Sequence, residues 1–188
     1  MRQLVLMMGV SLDGLVARPG GYGAVSGLLP EDPALKERKL EWLGDAGLHL
    51  MGRTTYQEMA GFWPTSDDAY PAPMNDIPKV VFSRTLERAE WADSRIARGD
   101  LAAEIAQLKG ESGKDMIAWG GATFAQSLTR LGLIDEYRLI LHPIALGDGL
   151  PLFKDLTAPL RLELVDAQTY GTGAALLIYR RTPAAASN

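Results

Sequence analysis

An α/β fold with a mostly parallel central sheet and antiparallel strands at its C-terminal end is predicted from three observations. Short continuous apolar runs recur along the first two thirds of the chain, of the kind that strands covered on both faces require. Segments with helical apolar spacing separate them, and strands alternating with helices imply right-handed crossovers and a largely parallel sheet. Late in the chain the helical spacing stops, and two strand patterns joined by Tyr170-Gly171-Thr172-Gly173 close it as an antiparallel pair.

The elements follow in order. Leu4-Val5-Leu6-Met7-Met8 is a buried strand. Residues 11–30 are rich in glycine and end at Pro30, so they read as a long loop, and loops of such length are often functional lids. Residues 31–46 read as a helix, opened by Glu31, Asp32 and Pro33, with Leu35, Trp42 and Leu43 on one face. Residues 48–51 form a second strand and 54–60 a short helix. Residues 62–77 are proline-rich and read as surface loop. Residues 79–83 are a third strand and 95–98 a short fourth. Asp100 caps a helix whose apolar face is Leu101, Ile105 and Leu108. A strand at 115–119 leads into a helix at 123–131 with Phe124, Leu128 and Leu131 as its stripe. Residues 136–146 read as a long strand. Leu160, Leu162 and Leu164 alternate with Arg161 and Glu163, which predicts a strand with one wet face. Residues 174–179 are the last strand. The reading is one domain over 1–182, with 183–188 a frayed tail.

Composition narrows the function. The chain has 188 residues, a formal net charge of −4 and 22% charged residues, a balance that argues against a nucleic-acid-binding surface. There is no cysteine, so disulfides, thiolate nucleophiles and zinc–thiolate sites are excluded. His49 and His142 are the only histidines, which excludes a histidine-rich metal centre; both fall in strand patterns and read as satisfied core residues. No apolar run reaches the ~18 residues of a membrane-spanning helix, and the start lacks a cleavage site, so a cytoplasmic protein without membrane partners is expected.

Three strand-to-helix turns carry chemistry. Gly52-Arg53-Thr54-Thr55 follows the second strand, where open α/β folds bind ligands. Free amides at a helix start, a positive dipole end, a guanidinium and a hydroxyl suit phosphate; a capped helix beside a solvated arginine would look the same. Gly120-Gly121-Ala122-Thr123 repeats the arrangement, with two glycines that admit a pyrophosphate or make a tight turn. Ser83-Arg84-Thr85 ends a third strand and pairs a hydroxyl with a guanidinium, a receptor for a ribose 2′-phosphate or an ordinary turn. Ser11-Leu12-Asp13-Gly14-Leu15-Val16-Ala17 contains the Asp13-Gly14 turn signal and reads alternatively as a loop against a nicotinamide.

Taken in order, Ser-Leu-Asp-Gly-Leu-Val-Ala at 11–17, Met-Gly-Arg-Thr-Thr-Tyr at 51–56, Val-Val-Phe-Ser-Arg at 80–84 and Trp-Gly-Gly-Ala at 119–122 resemble the dihydrofolate reductase superfamily. The closer resemblance is to the reductase domain of the bifunctional riboflavin-biosynthesis deaminase-reductase. It implies a three-layer fold and NADPH as cofactor. Val16 and Ala17 would flank the nicotinamide. Gly52, Arg53, Thr54 and Thr55 would bind phosphates, with Arg53 near the 2′-phosphate. Ser83 and Arg84 would hold the adenosine 2′-phosphate, and Gly120, Gly121, Ala122 and Thr123 would cover the pyrophosphate. Trp119 stands where a third glycine is usual, and Phe124 where a phenol is common. Asp32 is the candidate proton donor on the first helix and Asp13 the second; an acid at a helix start is equally a good helix starter.

The expected activity is hydride transfer from NADPH to a small pyrimidine- or pterin-like metabolite. The zinc-ligand set of the deaminase half is not in this sequence, so a stand-alone reductase or a divergent paralogue is expected. A nucleotide-binding module without turnover, or a different doubly wound binder such as a flavin protein, remains an alternative. The resemblance also implies a homodimer, with strands 136–146 and 160–181 as interface because exposed sheet edges seek cover.

Overall fold

A computed structural model describes residues 1–21, 24–67 and 70–182; the expected tail at 183–188 lies outside the described residues. Among the described residues ten strands and five helices follow in order: β1 (Leu4–Val10), β2 (Leu15–Ala17), α1 (Pro33–Gly44), β3 (Ala46–Gly52), α2 (Arg53–Phe62), α3 (Pro71–Asp76), β4 (Lys79–Phe82), β5 (Ser94–Ala97), α4 (Leu101–Gly110), β6 (Asp115–Ala118), α5 (Ala122–Arg130), β7 (Glu136–Leu141), β8 (Leu150–Pro151), β9 (Leu162–Thr169) and β10 (Ala175–Arg181). Eight strands form one sheet in the order β5-β4-β3-β6-β1-β7-β10-β9. Each neighbouring pair from β5 to β7 is parallel. β10 runs antiparallel to β7, and β9 antiparallel to β10. The predicted class, with its antiparallel C-terminal strands, is the observed one.

Both faces of the sheet are covered, because the parallel strands carry apolar residues on each. Leu4, Leu6 and Met8 of β1 join Leu50 and Met116 in a core closed by Ile105 and Leu108 of α4 and Phe124, Ala125 and Leu128 of α5. Met7 and Ile117 face the other way, into a core with Leu35, Trp42 and Leu43 of α1, Tyr56 of α2 and Met74 of α3. Helix, sheet and helix make the three layers. α4 starts as predicted, the Asp100 carboxylate accepting from Ala103 N at 3.0 Å.

Several boundaries differ from the sequence reading. The described residues of 62–77 are not a continuous surface loop: α2 ends there, a 3-10 turn spans Trp63–Thr65 and α3 follows at Pro71, with Tyr70 and Met74 buried. Two apolar side chains at helical spacing outweigh the prolines, and Pro71 occupies the first helical position, where the ring is tolerated. β7 stops at Leu141 rather than 146, just ahead of Pro143, which has no N–H for a ladder. β9 lacks the dry face that alternation predicted: only Leu162 is half-buried and Leu164 and Val165 are exposed, since β9 is the sheet edge. Inside the predicted 11–30 loop, β2 pairs with β8, two strands too short to leave a pattern.

Leu50 sits mid-sheet in β3 and is fully buried. Leu50→Ala is expected to lower stability by about 2–5 kcal/mol. In urea unfolding the midpoint should fall with an unchanged slope.

Candidate functional site

Six parallel strands end on one edge of the sheet, so the residues that follow them stand in a row. Along the row come Arg98 after β5, Arg84 after β4, Arg53 after β3, Gly121 after β6, Gly9 near the end of β1 and His142 after β7. A cleft of about 1140 Å3 runs along this edge, lined by all of these except His142.

Two helices begin in the cleft without a side-chain cap. Gly52 is the N-cap of α2 and Gly121 that of α5, and neither has a side chain to offer. A Cβ on Gly52 would lie 3.3 Å from Phe124 Cβ, so a side chain there would crowd both α5 and the cleft. Phe124 in turn stacks on Phe82 with ring centroids 5.1 Å apart. Two uncapped helix starts present partial positive charge and main-chain donors to the same space, a setting for a diphosphate.

The β5–β3 end is basic. Arg53 Nη1 donates to Thr85 Oγ1 at 3.1 Å. Arg98 donates to Arg84 O at 3.3 Å and Leu86 O at 2.7 Å, bracing the turn that carries Arg84. Ser83 Oγ accepts from Thr85 N and Leu86 N at 3.2 and 2.9 Å, which leaves its own proton to donate. Three exposed guanidiniums therefore crowd one end of a cleft in a chain of net charge −4.

Every residue expected to bind cofactor lines the cleft except Gly120: Val16, Ala17, Gly52, Arg53, Thr54, Thr55, Ser83, Arg84, Gly121, Ala122 and Thr123. Gly120 lies behind it, with φ at 90° and no room for a Cβ against Met8 Cε. Sequence reasoning missed the β5 contribution of Arg98, Gly99, Asp100 and Leu101, although the strand-end rule applied to the first three turns pointed there too. It also missed Glu31, Lys39 and Tyr70 at the opposite end, where Glu31 pairs with Lys39 and accepts from Tyr70 Oη at 3.1 Å.

Neither expected proton donor is in the cleft lining. Asp13 does not line the cleft. Its carboxylate accepts from Ser11 Oγ at 2.5 Å, Leu146 N at 3.1 Å and Gly147 N at 2.7 Å. The Ser11 hydroxyl, then those amides, hold its pKa down to about 2, so it is a permanent anion clamping the β1–β2 turn to residues 146 and 147. Asp32 is the α1 N-cap: one oxygen accepts from Ala34 N at 2.9 Å, the other from Thr172 N at 3.3 Å in the β9–β10 turn. It borders only a small side pocket.

His49 is the satisfied core histidine that the sequence predicted. Trp119 Nε1 donates to its Nδ1 at 2.8 Å, so Nε2 carries the proton and faces Pro73 O at 3.2 Å. Burial pushes its pKa down to about 4, and the neutral ring fixes the Trp119 indole, which lines the cleft. His142 is buried but not satisfied: its Nε2 has no hydrogen-bond partner among the described residues. Among the described residues there is no group of three or more acids, histidines or cysteines suited to a metal, and no helix long and apolar enough to cross a membrane.

Comparison with known proteins matches this architecture. The family model of the RibD C-terminal domain matches residues 2–176. The uncharacterized protein YyaP of Bacillus subtilis (strain 168) is 29% identical over 183 residues, covering 95% of this chain and 94% of that protein. Among solved structures, a Shewanella sp. PV-4 protein named provisionally for riboflavin biosynthesis superposes with a TM-score of 0.78 at 22% identity, covering 96% and 99% of the two chains. The diaminohydroxyphosphoribosylaminopyrimidine deaminase/5-amino-6-(5-phosphoribosylamino)uracil reductase of Thermotoga maritima superposes at 0.69 with 16% identity, over 96% of this chain and 57% of that one.

Two titrations check the electrostatics. Asp13 titrates near 3.8 when unfolded and near 2 when folded, so its stabilisation is complete above about 4 and fades as pH falls toward 2. Asp13→Asn should be less stable than the parent at neutral pH, with the gap closing on acidification. His49 resists protonation from 6.5 down to about 4, so the unfolded chain binds the extra proton across that window. Stability should fall by about 3 kcal/mol from this residue alone as pH drops through it, and His49→Phe should show the shallower slope in urea unfolding.

Proposed function

The chain belongs to the RibD C-terminal domain family, and from that premise we propose that it binds NADPH along the strand-end cleft and reduces a small pyrimidine- or pterin-like metabolite. One observation carries the cofactor reading: two uncapped helix starts and three guanidiniums share one cleft. The residues fit the group. Arg53, Arg84 and Arg98, with Ser83, would take the 2′-phosphate, since a dianion beside three fixed cations is well matched. Residues 52–55 and 121–123 would take the diphosphate. The bound nicotinamide would supply the hydride.

The remaining work falls to this chain's own side chains. Val16, Ala17 and Trp119 wall the middle of the cleft with apolar surface, which excludes water and orients flat rings. At the β1–β7 end, the Tyr70 hydroxyl, which donates to the Glu31 carboxylate, is a proton-bearing group facing the cleft. It joins Asp13 and Asp32 as a candidate in that part of the reading. The reading includes a homodimer, supported by the sheet edge: β9 exposes Leu164 and Val165, and a second copy pairing there would cover them.

Arg53→Ala should raise the dissociation constant for NADPH by about tenfold or more and that for NADH little, read by reduced-nicotinamide fluorescence. Equal weakening of both would remove Arg53 from the 2′-phosphate. Loss of reduced-nicotinamide absorbance with aminopyrimidine or pterin acceptors tests the reduction; tight binding with no turnover of any acceptor would favour the binding-module alternative. Sedimentation velocity should show a dimer that Leu164→Lys converts to monomer.

A further inference from the structure

The wall that α2 and its extension give to the cleft differs in kind from the arginine end. The chain has four tryptophans, and the structure sorts them into two pairs. Trp42 and Trp91 are buried and belong to the core. Trp63 and Trp119 are left partly exposed, and both line the cleft. Large aromatic side chains are normally buried for packing, so a pair held part-open at one cavity offers ring surface to whatever enters it.

Local structure sets this wall. Thr55, Met59 and Trp63 follow one another at four-residue spacing along α2 and into the 3-10 turn that continues it, and all three line the cleft. The Trp63 ring is steadied on its far sides by Phe62 and Tyr70, edge-on, with centroids 4.8 and 5.8 Å away. Trp119 arrives from the end of β6. Its one polar atom, Nε1, donates to His49 Nδ1 at 2.8 Å, so the indole has only apolar ring surface left for the cleft. Two indoles and the Met59 thioether suit a flat, polarisable ring.

The charges on this side oppose an anionic tail. Among the described residues lining the cleft the cations are Arg53, Arg84, Arg98 and Lys39. The three arginines stand at the β5–β3 end. Lys39 is already paired with Glu31, whose carboxylate also accepts from Tyr70 Oη at 3.1 Å. Glu58, exposed and immediately before Met59, adds a second carboxylate to the lining. Away from the arginines, two carboxylates therefore stand against one engaged ammonium. A phosphate carried in with the ring would meet no free cation there and two like charges.

Resting on the reductase reading, we propose that the acceptor is a flat, uncharged aromatic heterocycle that bears no phosphate or carboxylate. Trp63, Trp119 and Met59 supply its stacking surface, and Glu31 and Glu58 select against anionic tails. The phosphates that the cleft takes are then those of the nucleotide alone, at the arginine end.

The probes are two pterins that share one ring: neopterin, with an uncharged polyol tail, and its phosphate monoester. Each is titrated into the full chain by calorimetry, with and without NADP+, whose own binding is measured separately. Neopterin is expected to bind saturably, and the phosphate ester at least about tenfold more weakly, with the gap narrowing as salt is raised. Trp63→Ala should weaken neopterin by about tenfold, and Trp63→Phe, which keeps an aromatic face, should recover most of that loss. Glu31→Gln releases Lys39 and should bring the two probes closer together. The comparison of the probes needs only the parent chain. Equal or tighter binding of the phosphate ester, or no saturable binding of neopterin, would overturn this substrate class and leave the reductase reading standing. Failure of NADP+ to bind would count against the cofactor reading instead.

Discussion

Gly121 reaches Thr55 across the gap between β6 and β3: its amide donates to the threonine hydroxyl at 2.5 Å, while Gly52 N faces Gly120 O at 3.5 Å. This contact holds two strand-to-helix turns side by side at the middle of the sheet edge. It is possible only because β3 and β6 are adjacent and parallel, with Leu48 opposite Met116 and Leu50 opposite Ala118. Both helices then start at the same height, each with glycine where a capping side chain would otherwise close the end. Had either turn carried serine or aspartate at that position, the helix would satisfy its own amides and have less to offer a ligand. The open cleft therefore depends on a stability device being left out twice and on a crossed hydrogen bond replacing it.

A second clamp works at the other side of β1. Asp13 ties the β1–β2 turn to residues 146 and 147, and β2 pairs with β8 just beyond. Val16 and Ala17 are thereby held against the cleft although they sit on a segment with little regular structure. An anion held near pKa 2 by one hydroxyl and two amides cannot serve as a proton source at neutral pH, but it is well suited to this mechanical task. The same economy appears at Asp32, which joins the start of α1 to the β9–β10 turn.

These assignments explain what was legible in the sequence. Burial on both faces wrote β1, β3, β4 and β6 as continuous apolar runs, and strand-end glycines and arginines then pointed to one edge. The partners of the two acids were not legible, because an acid at a turn looks the same whether it faces a substrate or a backbone amide; their main-chain partners at residues 146, 147 and 172 lie far along the chain. α3 was hidden by prolines that its first turn tolerates, and with it Tyr70, which helps to hold Glu31 at the cleft. His142 was misread for the opposite reason. A strand pattern predicts burial correctly, but says nothing about whether the ring finds a partner.

The order of the strands converts these local features into a gradient. Moving from β5 to β7 along the edge, the cleft passes from three guanidiniums, through main-chain amides at two helix starts, to the apolar Val16 and Trp119, and ends at a neutral imidazole beside a neutralised ion pair. Coulomb attraction is long-ranged compared with a hydrogen bond, so an extended molecule with phosphates at one end would be oriented before it is bound. The reverse orientation would bring phosphate against Glu31 and Asp32 and leave the arginines facing an uncharged ring. Discrimination of that kind comes from repulsion at the wrong end as much as from attraction at the right one. It would require the far end to be free of net positive charge, a condition that the lowered pKa of His142 and the pairing of Lys39 with Glu31 meet.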